Sequence, residues 1–233
     1  MNILQLTYNL FEEKTFVVWQ EDSNSCIVID PGFSGQREEE DFYTAIQSRD
    51  LAPEAVLLTH CHFDHIYGVK SLQDRYGIPV YMHEADEPVI DYCAEMAARF
   101  SIAAPDGSFT RQYVHEGDVV TAAGLSFEVM ETPGHTPGGV CFLNREEGVL
   151  FSGDTLFAGS IGRTDMKYGE YDDEIRSIME KIMILDTDTQ VYPGHGPNTN
   201  IGHERTHNPF LEPFNEPEEV FDPDATPVII SRN

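Results

Sequence analysis

The segment Thr59-His60-Cys61-His62-Phe63-Asp64-His65 puts three imidazoles and a carboxylate into six residues. Imidazole nitrogen and carboxylate oxygen are ligands of zinc, iron and manganese. A helical zinc site would place two histidines four apart on one face with a glutamate between them. His60 and His62 are two apart, so they share a direction only on extended backbone. The cluster therefore belongs to a loop leaving a strand, and Cys61 between the two histidines points away from them into packing. Polar side chains are common at strand ends, but four metal-competent groups at this density read as a metal or catalytic site.

Three further candidates lie far along the chain. They are His135 in Thr132-Pro-Gly-His-Thr-Pro-Gly-Gly139, Asp154 in Phe151-Ser-Gly-Asp-Thr155 and His195 in Tyr192-Pro-Gly-His-Gly196. Each sits at a strand-to-turn junction, bracketed by proline or glycine that fixes the backbone and permits close approach. Singly, each reads equally well as an ordinary turn histidine or strand-end aspartate. Their joint occurrence with the first cluster favours a single site.

The elements that must position these groups alternate along the chain. Residues 15–19 and 25–30 flank a polar turn and predict a hairpin, which Asp30-Pro31-Gly32 ends sharply. Residues 38–50 carry Phe42 and Ile46 at helical spacing. An apolar run, Ala55 to Leu58, reads as a buried strand leading into the histidine cluster. Helices are expected at 68–76, 87–100 and 173–185, with strands at 79–83, 119–120, 125–130, 140–143, 149–152 and 190–192. Strands interleaved with helices indicate a layered α/β domain, whose sites usually lie at strand ends.

The ordered set T-H-x-H-x-D-H, G-H-T-P-G, S-G-D-T-L-F and P-G-H-G resembles the metallo-β-lactamase-fold hydrolases over residues 1 to 211. The resemblance implies a four-layer αββα sandwich with two divalent metal ions at one edge, zinc by expectation, with iron or manganese as alternatives. It assigns His60, His62 and His135 to metal one and Asp64, His65 and His195 to metal two, with Asp154 bridging. Within the superfamily, Gly159 to Asp165 and Ile201-Gly-x-Glu204-Arg205-x-x-Asn-Pro-Phe-Leu211 are similar to the short glyoxalase II-like (hydroxyacylglutathione hydrolase-like) enzymes. Glyoxalase II proper carries an additional helical domain with basic contacts to glutathione, so the resemblance does not carry glutathione recognition to this chain. Gly162-Arg-Thr-Asp165 is also shared with the one-iron persulfide dioxygenases, whereas Pro193-Gly-His-Gly196 favours the hydrolases.

Two adjacent cations can lower the pKa of a shared water from 15.7 towards ~7 and polarise a carbonyl. A thiolate leaving group, with a pKa near ~8.5, departs with little help from an acid. No dedicated acid is evident beyond the ligands, which suits a thioester better than an amide. Asp64 is the expected catalytic ligand, binding metal two and orienting the water. Asp30 matches a family position behind the ligand histidines, and reads equally as a turn-forming Asp-Pro-Gly. Arg163 is the candidate for holding a substrate carboxylate, against an internal salt bridge with Asp165; for Lys167, solvent exposure is expected. His83, His115, His203 and His207 have no motif context and read as structural or surface residues. The competing functions are persulfide dioxygenase, lactonase, β-lactamase and nuclease.

At 233 residues the chain can bury a large core without disulfides, and Cys26, Cys61, Cys93 and Cys141 show no framework spacing. The formal net charge of −27 opposes nucleic acid or an anionic membrane as a partner and weakens the nuclease reading. No basic leader followed by an apolar stretch opens the chain, and no run approaches the ~18 apolar residues of a membrane span. The expected partner is a small anionic thioester, and the expected location is cytoplasmic. Residues 1–211 read as the catalytic domain and 212–233 as an acidic, proline-rich arm, in which Val228-Ile229-Ile230 could dock as a strand.

Overall fold

The computed structural model describes residues 1–214. The arm expected at 212–233, with its candidate strand at 228–230, therefore lies almost wholly outside the described residues.

Two six-stranded sheets form the centre. The first runs in sequence order through β1 (Asn2–Tyr8), β2 (Glu13–Trp19), β3 (Ser25–Ile29), β4 (Ala52–Leu57), β5 (Val80–Met82) and β6 (Gln112–Tyr113). The second comprises β7 (Val119–Ala122), β8 (Leu125–Glu131), β9 (Val140–Asn144) and β10 (Val149–Gly153). A small separate hairpin follows, made of β11 (Leu156–Phe157) and β12 (Ser160–Ile161). The second sheet is then completed by β13 (Gln190–Pro193) and β14 (Thr199–Asn200) beside β10. The helices are α1 (Gly35–Gln47), α2 (Phe63–Ile66), α3 (Val69–Tyr76), α4 (Glu87–Arg99), α5 (Tyr171–Ser177) and α6 (Ile201–His207).

Strand periodicity accounts for the layering, because successive side chains enter opposite faces. On β3, Cys26 and Val28 face α1, α3 and α4, while Ile27 and Ile29 face the other sheet. On β10, Val149 and Phe151 join that intersheet core, whereas Leu150 packs outward with Ile178, Ile182 and Ile201. The central strands, such as β3, β9 and β10, are thus buried on both faces, which is why they read as continuous apolar runs rather than alternations. Three cores between four layers make the αββα sandwich.

The helix expected at 173–185 is shorter. It is helical over α5 and widens into a π turn at Ile178–Ile182, so that Ile178 and Ile182 both reach the outer core. Strand β1 was not anticipated, because its half-exposed edge position leaves only a weak alternation. The parallel pairs β3–β4–β5 and β10–β13 point their carboxyl ends the same way within each sheet, and the loops leaving those ends carry the site.

Candidate metal centre

All seven predicted ligands converge at one edge of the sandwich. His60 and His62 lie on the loop after β4, and the single turn α2 carries Asp64 and His65. His135 follows β8, Asp154 follows β10 and His195 follows β13. The ligand atoms of His60, His62 and His135 lie within 4.8 Å of one another, as do those of Asp64, His65 and His195. Asp154 stands between the groups, with Oδ2 3.6 Å from His135 Nε2 and Oδ1 3.5 Å from His65 Nε2. Its Oδ2 is also 3.6 Å from His195 Nε2.

The approach is close enough to demand glycine. A Cβ on Gly194 would stand 2.4 Å from Asp154 Oδ1 and 2.7 Å from His65 Cε1. Gly153 has a positive φ of 50°, and a Cβ there would meet Thr59 Oγ1 at 2.2 Å.

Hydrogen bonds behind the ligands aim the rings. His60 Nδ1 donates to Thr59 Oγ1 at 3.1 Å, and that hydroxyl donates to Asp30 Oδ2 at 2.5 Å. Asp30 also accepts from His65 Nδ1 at 3.1 Å and from the Thr59 amide at 2.8 Å. His135 Nδ1 donates to the Arg163 carbonyl and His195 Nδ1 to the Phe11 carbonyl, each at 2.8 Å. Four rings therefore turn Nε2 to the interior, the usual way a protein orients a ligand histidine. His62 is the exception, with Nδ1 facing His135 Nε2 at 2.9 Å.

The residues fit divalent cations on two counts. His60 Nε2 and Asp154 Oδ1 are buried with no hydrogen-bond partner among the described residues, and orphan buried acceptors are costly unless something binds them. The donor set is also all nitrogen and oxygen, suited to zinc, iron or manganese.

Electrostatics divides the ligands. Burial pushes His60 and His62 well below the usual histidine range, with neighbouring imidazoles adding to it. Burial also lowers His135. Burial would depress His65 too, but Asp154, Asp64 and Asp30 outweigh it and hold the ring well above that range. His195 is raised the same way, chiefly by Asp154 against burial. Asp64 is held below the ordinary carboxylate range, because His65 and His195 overcome the opposing effect of burial.

Several buried carboxylates that support the site carried no sequence signal. Asp86, fully buried, accepts from Cys61 N at 2.8 Å, Thr136 Oγ1 at 3.0 Å and Gly138 N at 2.7 Å. It thereby clamps the His60–His62 loop to the His135 turn. Glu174, also fully buried, accepts from His135 N at 2.8 Å. Glu13 lies buried beneath Gly32 and Asp64, raised well above the carboxylate range by burial. Its neighbour Lys14 brackets His195: the amide donates to Gly194 O at 2.8 Å and Nζ to Gly196 O. Asp86 ends a short helical turn and Glu174 lies within α5, and residue type alone does not set them apart from exposed neighbours such as Glu84 and Asp172.

Other expectations resolve as follows. Cys61 turns away from the ligands and packs on Met82 at 3.8 Å, and all four cysteines are free and buried. Glu204 in the C-terminal motif accepts from Gly159 N, Thr199 Oγ1 and Asn208 Nδ2, anchoring the β11–β12 hairpin. Arg163 lines the site cavity, with its guanidinium held bidentately by Asp165 at 2.8 and 2.9 Å. Lys167 is exposed, yet its Nζ lies over the rings of Tyr92 and Tyr168. His83 and His115 gather with Glu131. His83 Nδ1 accepts the Ala85 amide, so Nε2 carries the proton and donates it to Glu131 at 3.0 Å. That tautomer leaves no lone pair for a cation, and the group is a structural hydrogen-bonded cluster.

The cavity over the ligands measures about 840 Å³ and is lined by His62, Asp64, His135, Asp154 and His195 together with aromatic and cationic side chains. A smaller depression of about 590 Å³, near Glu116, Arg145 and Lys181, contains none of the ligands. No helix among the described residues is long and apolar enough to cross a membrane.

Fold and ligand set define the class, and the chain belongs to the metallo-β-lactamase superfamily, whose family profile matches residues 11–195. It is a metal-dependent hydrolase of that fold. Among curated relatives it is 36% identical over 213 residues to hydroxyacylglutathione hydrolase GloC of Haemophilus influenzae, covering 91% of this chain and 98% of the relative. Among solved structures it is similar to the BLEG-1 B3 metallo-β-lactamase, with a TM-score of 0.82, 35% identity and coverage of 90% and 99% of the two chains. It is also similar to TTHA1623, solved in a di-iron-bound form, with a TM-score of 0.80, 34% identity and coverage of 89% and 100%.

Proposed function

We propose that this protein is a glyoxalase II-like thioesterase that uses two divalent metal ions, zinc by preference, to cleave small anionic thioesters. The observation that carries the reading is the convergence of two three-ligand groups on either side of one carboxylate, Asp154. In it, His60, His62 and His135 would hold one ion and Asp64, His65 and His195 the other, with Asp154 available to both. Bound there, the pair of cations supplies a water of lowered pKa and polarises the substrate carbonyl.

The chain's own residues do the rest. Asp64, beside His195 Nε2 at 3.4 Å, would accept a hydrogen bond from the attacking water and fix its direction. Asp30 stands behind both ligand groups, aiming His65 directly and His60 through Thr59. Arg163 lines the cavity and offers its guanidinium to a substrate carboxylate in competition with Asp165. A departing thiolate is stable enough to leave without a protonated side chain, so the lack of a dedicated acid is no obstacle. The GloC relative, covered over 98% of its length, brings hydroxyacylglutathione thioesters into consideration alongside smaller ones. The acidic composition is compatible with a cytoplasmic enzyme that binds neither nucleic acid nor membrane.

The similarity to a B3 metallo-β-lactamase favours a second reading, opening of a β-lactam at the same centre. The test is metal analysis of purified protein followed by steady-state kinetics on thioesters, a β-lactam and a persulfide under oxygen. The expected result is two ions per chain and thioester cleavage. It includes a ten- to a hundredfold lower kcat/KM for anionic thioesters in Arg163→Ala, from loss of a charge-assisted contact of ~1.5–3 kcal/mol. One ion per chain with persulfide oxidation, or β-lactam turnover without thioester cleavage, would overturn the reading.

A further inference from the structure

The cavity has two chemically different walls. Beside the metal loop, Phe11, Phe63 and Phe100 interlock, with ring centroids 5.1 Å apart for Phe11–Phe63 and 4.9 Å for Phe11–Phe100. Two of these rings are fastened to ligands. Phe63 lies between His62 and Asp64 in the chain, and the Phe11 carbonyl accepts from His195 Nδ1. The third, Phe100 at the C-terminal end of α4, is 55% exposed. A large ring left in water at a cavity mouth gains when an apolar ligand group covers it.

The other wall carries three cations. Arg99 is paired with Glu95 at 2.8 Å, and Arg163 gives both arms of its fork to Asp165. Lys167 differs, having no carboxylate at ion-pair distance among the described residues. Its Nζ sits 4.3 Å from the centroid of Tyr92 and 4.8 Å from that of Tyr168. The two rings meet edge to face at 6.1 Å. Cation–π attraction holds the ammonium over this platform, so less of the ordering cost remains when an anion binds. A chain of net charge −27 repels small anions in general, and an exposed cation at the cavity wall, with Glu95 near it but no carboxylate at ion-pair distance among the described residues, is what a carboxylate would seek.

We propose that the substrate is an amphiphilic anion. A ring or branched alkyl group packs on the Phe11–Phe63–Phe100 face beside the metal ligands, and the carboxylate is shared between Arg163, in competition with Asp165, and Lys167 on the Tyr92–Tyr168 platform. The assignment rests on the thioesterase reading for its reaction and names the substrate class of that same site. It makes Lys167 and Phe100 specificity-determining residues, neither of them a ligand.

The test uses the metal-loaded full chain and non-hydrolysable thioethers: S-benzylmercaptoacetate, its carboxamide, and the S-methyl counterparts of both. Binding is measured by isothermal titration calorimetry. Lys167→Gln should weaken S-benzylmercaptoacetate about tenfold and leave the carboxamide unchanged, with Lys167→Arg restoring most of the loss. Phe100→Ala should weaken both benzyl probes roughly fivefold and neither methyl probe. Metal content should match the parent protein in all three variants. Equal effects on acid and amide, equal effects on benzyl and methyl, or no binding of the benzyl acid by the parent protein would each overturn the inference. The expected binding pattern without thioester turnover would sink the thioesterase reading and leave this inference standing. Turnover of small thioesters with no discrimination among the probes would do the reverse.

Discussion

His60, His62 and His135 meet with Asp154 at their edge and Asp30 behind Thr59, whereas His65 and His195 stand directly among Asp64 and Asp154, with Asp30 bonded to His65. The two pockets share one loop and one bridging residue, yet their histidines are driven in opposite directions. Burial lowers the pKa of the first three, and nearby carboxylates, against burial, raise those of His65 and His195. Ligands must be deprotonated to bind metal. The first pocket therefore presents ready lone pairs, and the second must release protons as it fills. Two pockets of the same ligand number can thus differ in the order and pH dependence of loading.

The largest effects should come from the ligands themselves. His135→Ala and Asp64→Asn should each lower hydrolysis by more than roughly a hundredfold, beyond the 10–100-fold typical of residues that only orient ligands. The two should differ in metal content: His135→Ala should lose the ion of the histidine pocket and Asp64→Asn the other. Circular dichroism should be unchanged in both, because three apolar cores that contain neither residue hold the fold. Full turnover with two ions in either variant would break the comparison.

A smaller effect should distinguish the carboxylates behind the pockets. Asp86 grips only the loops bearing His60, His62 and His135, while Asp30 reaches both pockets. Asp86→Asn should weaken the first ion 10–100-fold by chelator competition and spare the second, whereas Asp30→Asn should weaken both. Equal losses at both sites in Asp86→Asn would remove its assignment to one pocket.

The smallest effect is on the pH dependence of the metal-free protein. For His65 and His195 the folded pKa is raised, so their contribution is complete below the unfolded value near ~6.5 and is lost as pH rises through the folded values. For His60, His62 and His135 it is lowered, so stability is lost as pH falls below ~6.5. Melting curves of chelator-treated protein across this range should show His195→Gln flattening the alkaline decline and His60→Gln the acid one. A matched response of the two variants would show that the pockets are electrostatically alike.

The cluster of candidate ligands was legible because its chemistry is local. Three imidazoles and a carboxylate on one loop, and a single histidine or aspartate between prolines and glycines elsewhere, declare themselves by residue type and turn residues alone. The apolar runs 25–29, 55–58 and 149–152 likewise marked strands buried on both faces, and with them the layered class. Strand β1 and the π turn after α5 were not legible, since an edge strand alternates weakly and the turn answers to packing rather than propensity.

What the chain by itself determined, then, is which atoms could bind metal and which segments must be strands. Only the tertiary structure decided which nitrogen of each imidazole faces inward, because Thr59, Arg163 and Phe11 take the other one across gaps of up to 184 residues. It also decided that Asp86 would tie two ligand loops together and that Asp30 would serve both pockets. Lys167, in a turn, likewise became a held cation only by meeting Tyr92 of α4. Each of these depends on which groups burial brings within about 3–5 Å, and separation along the chain carries no record of that.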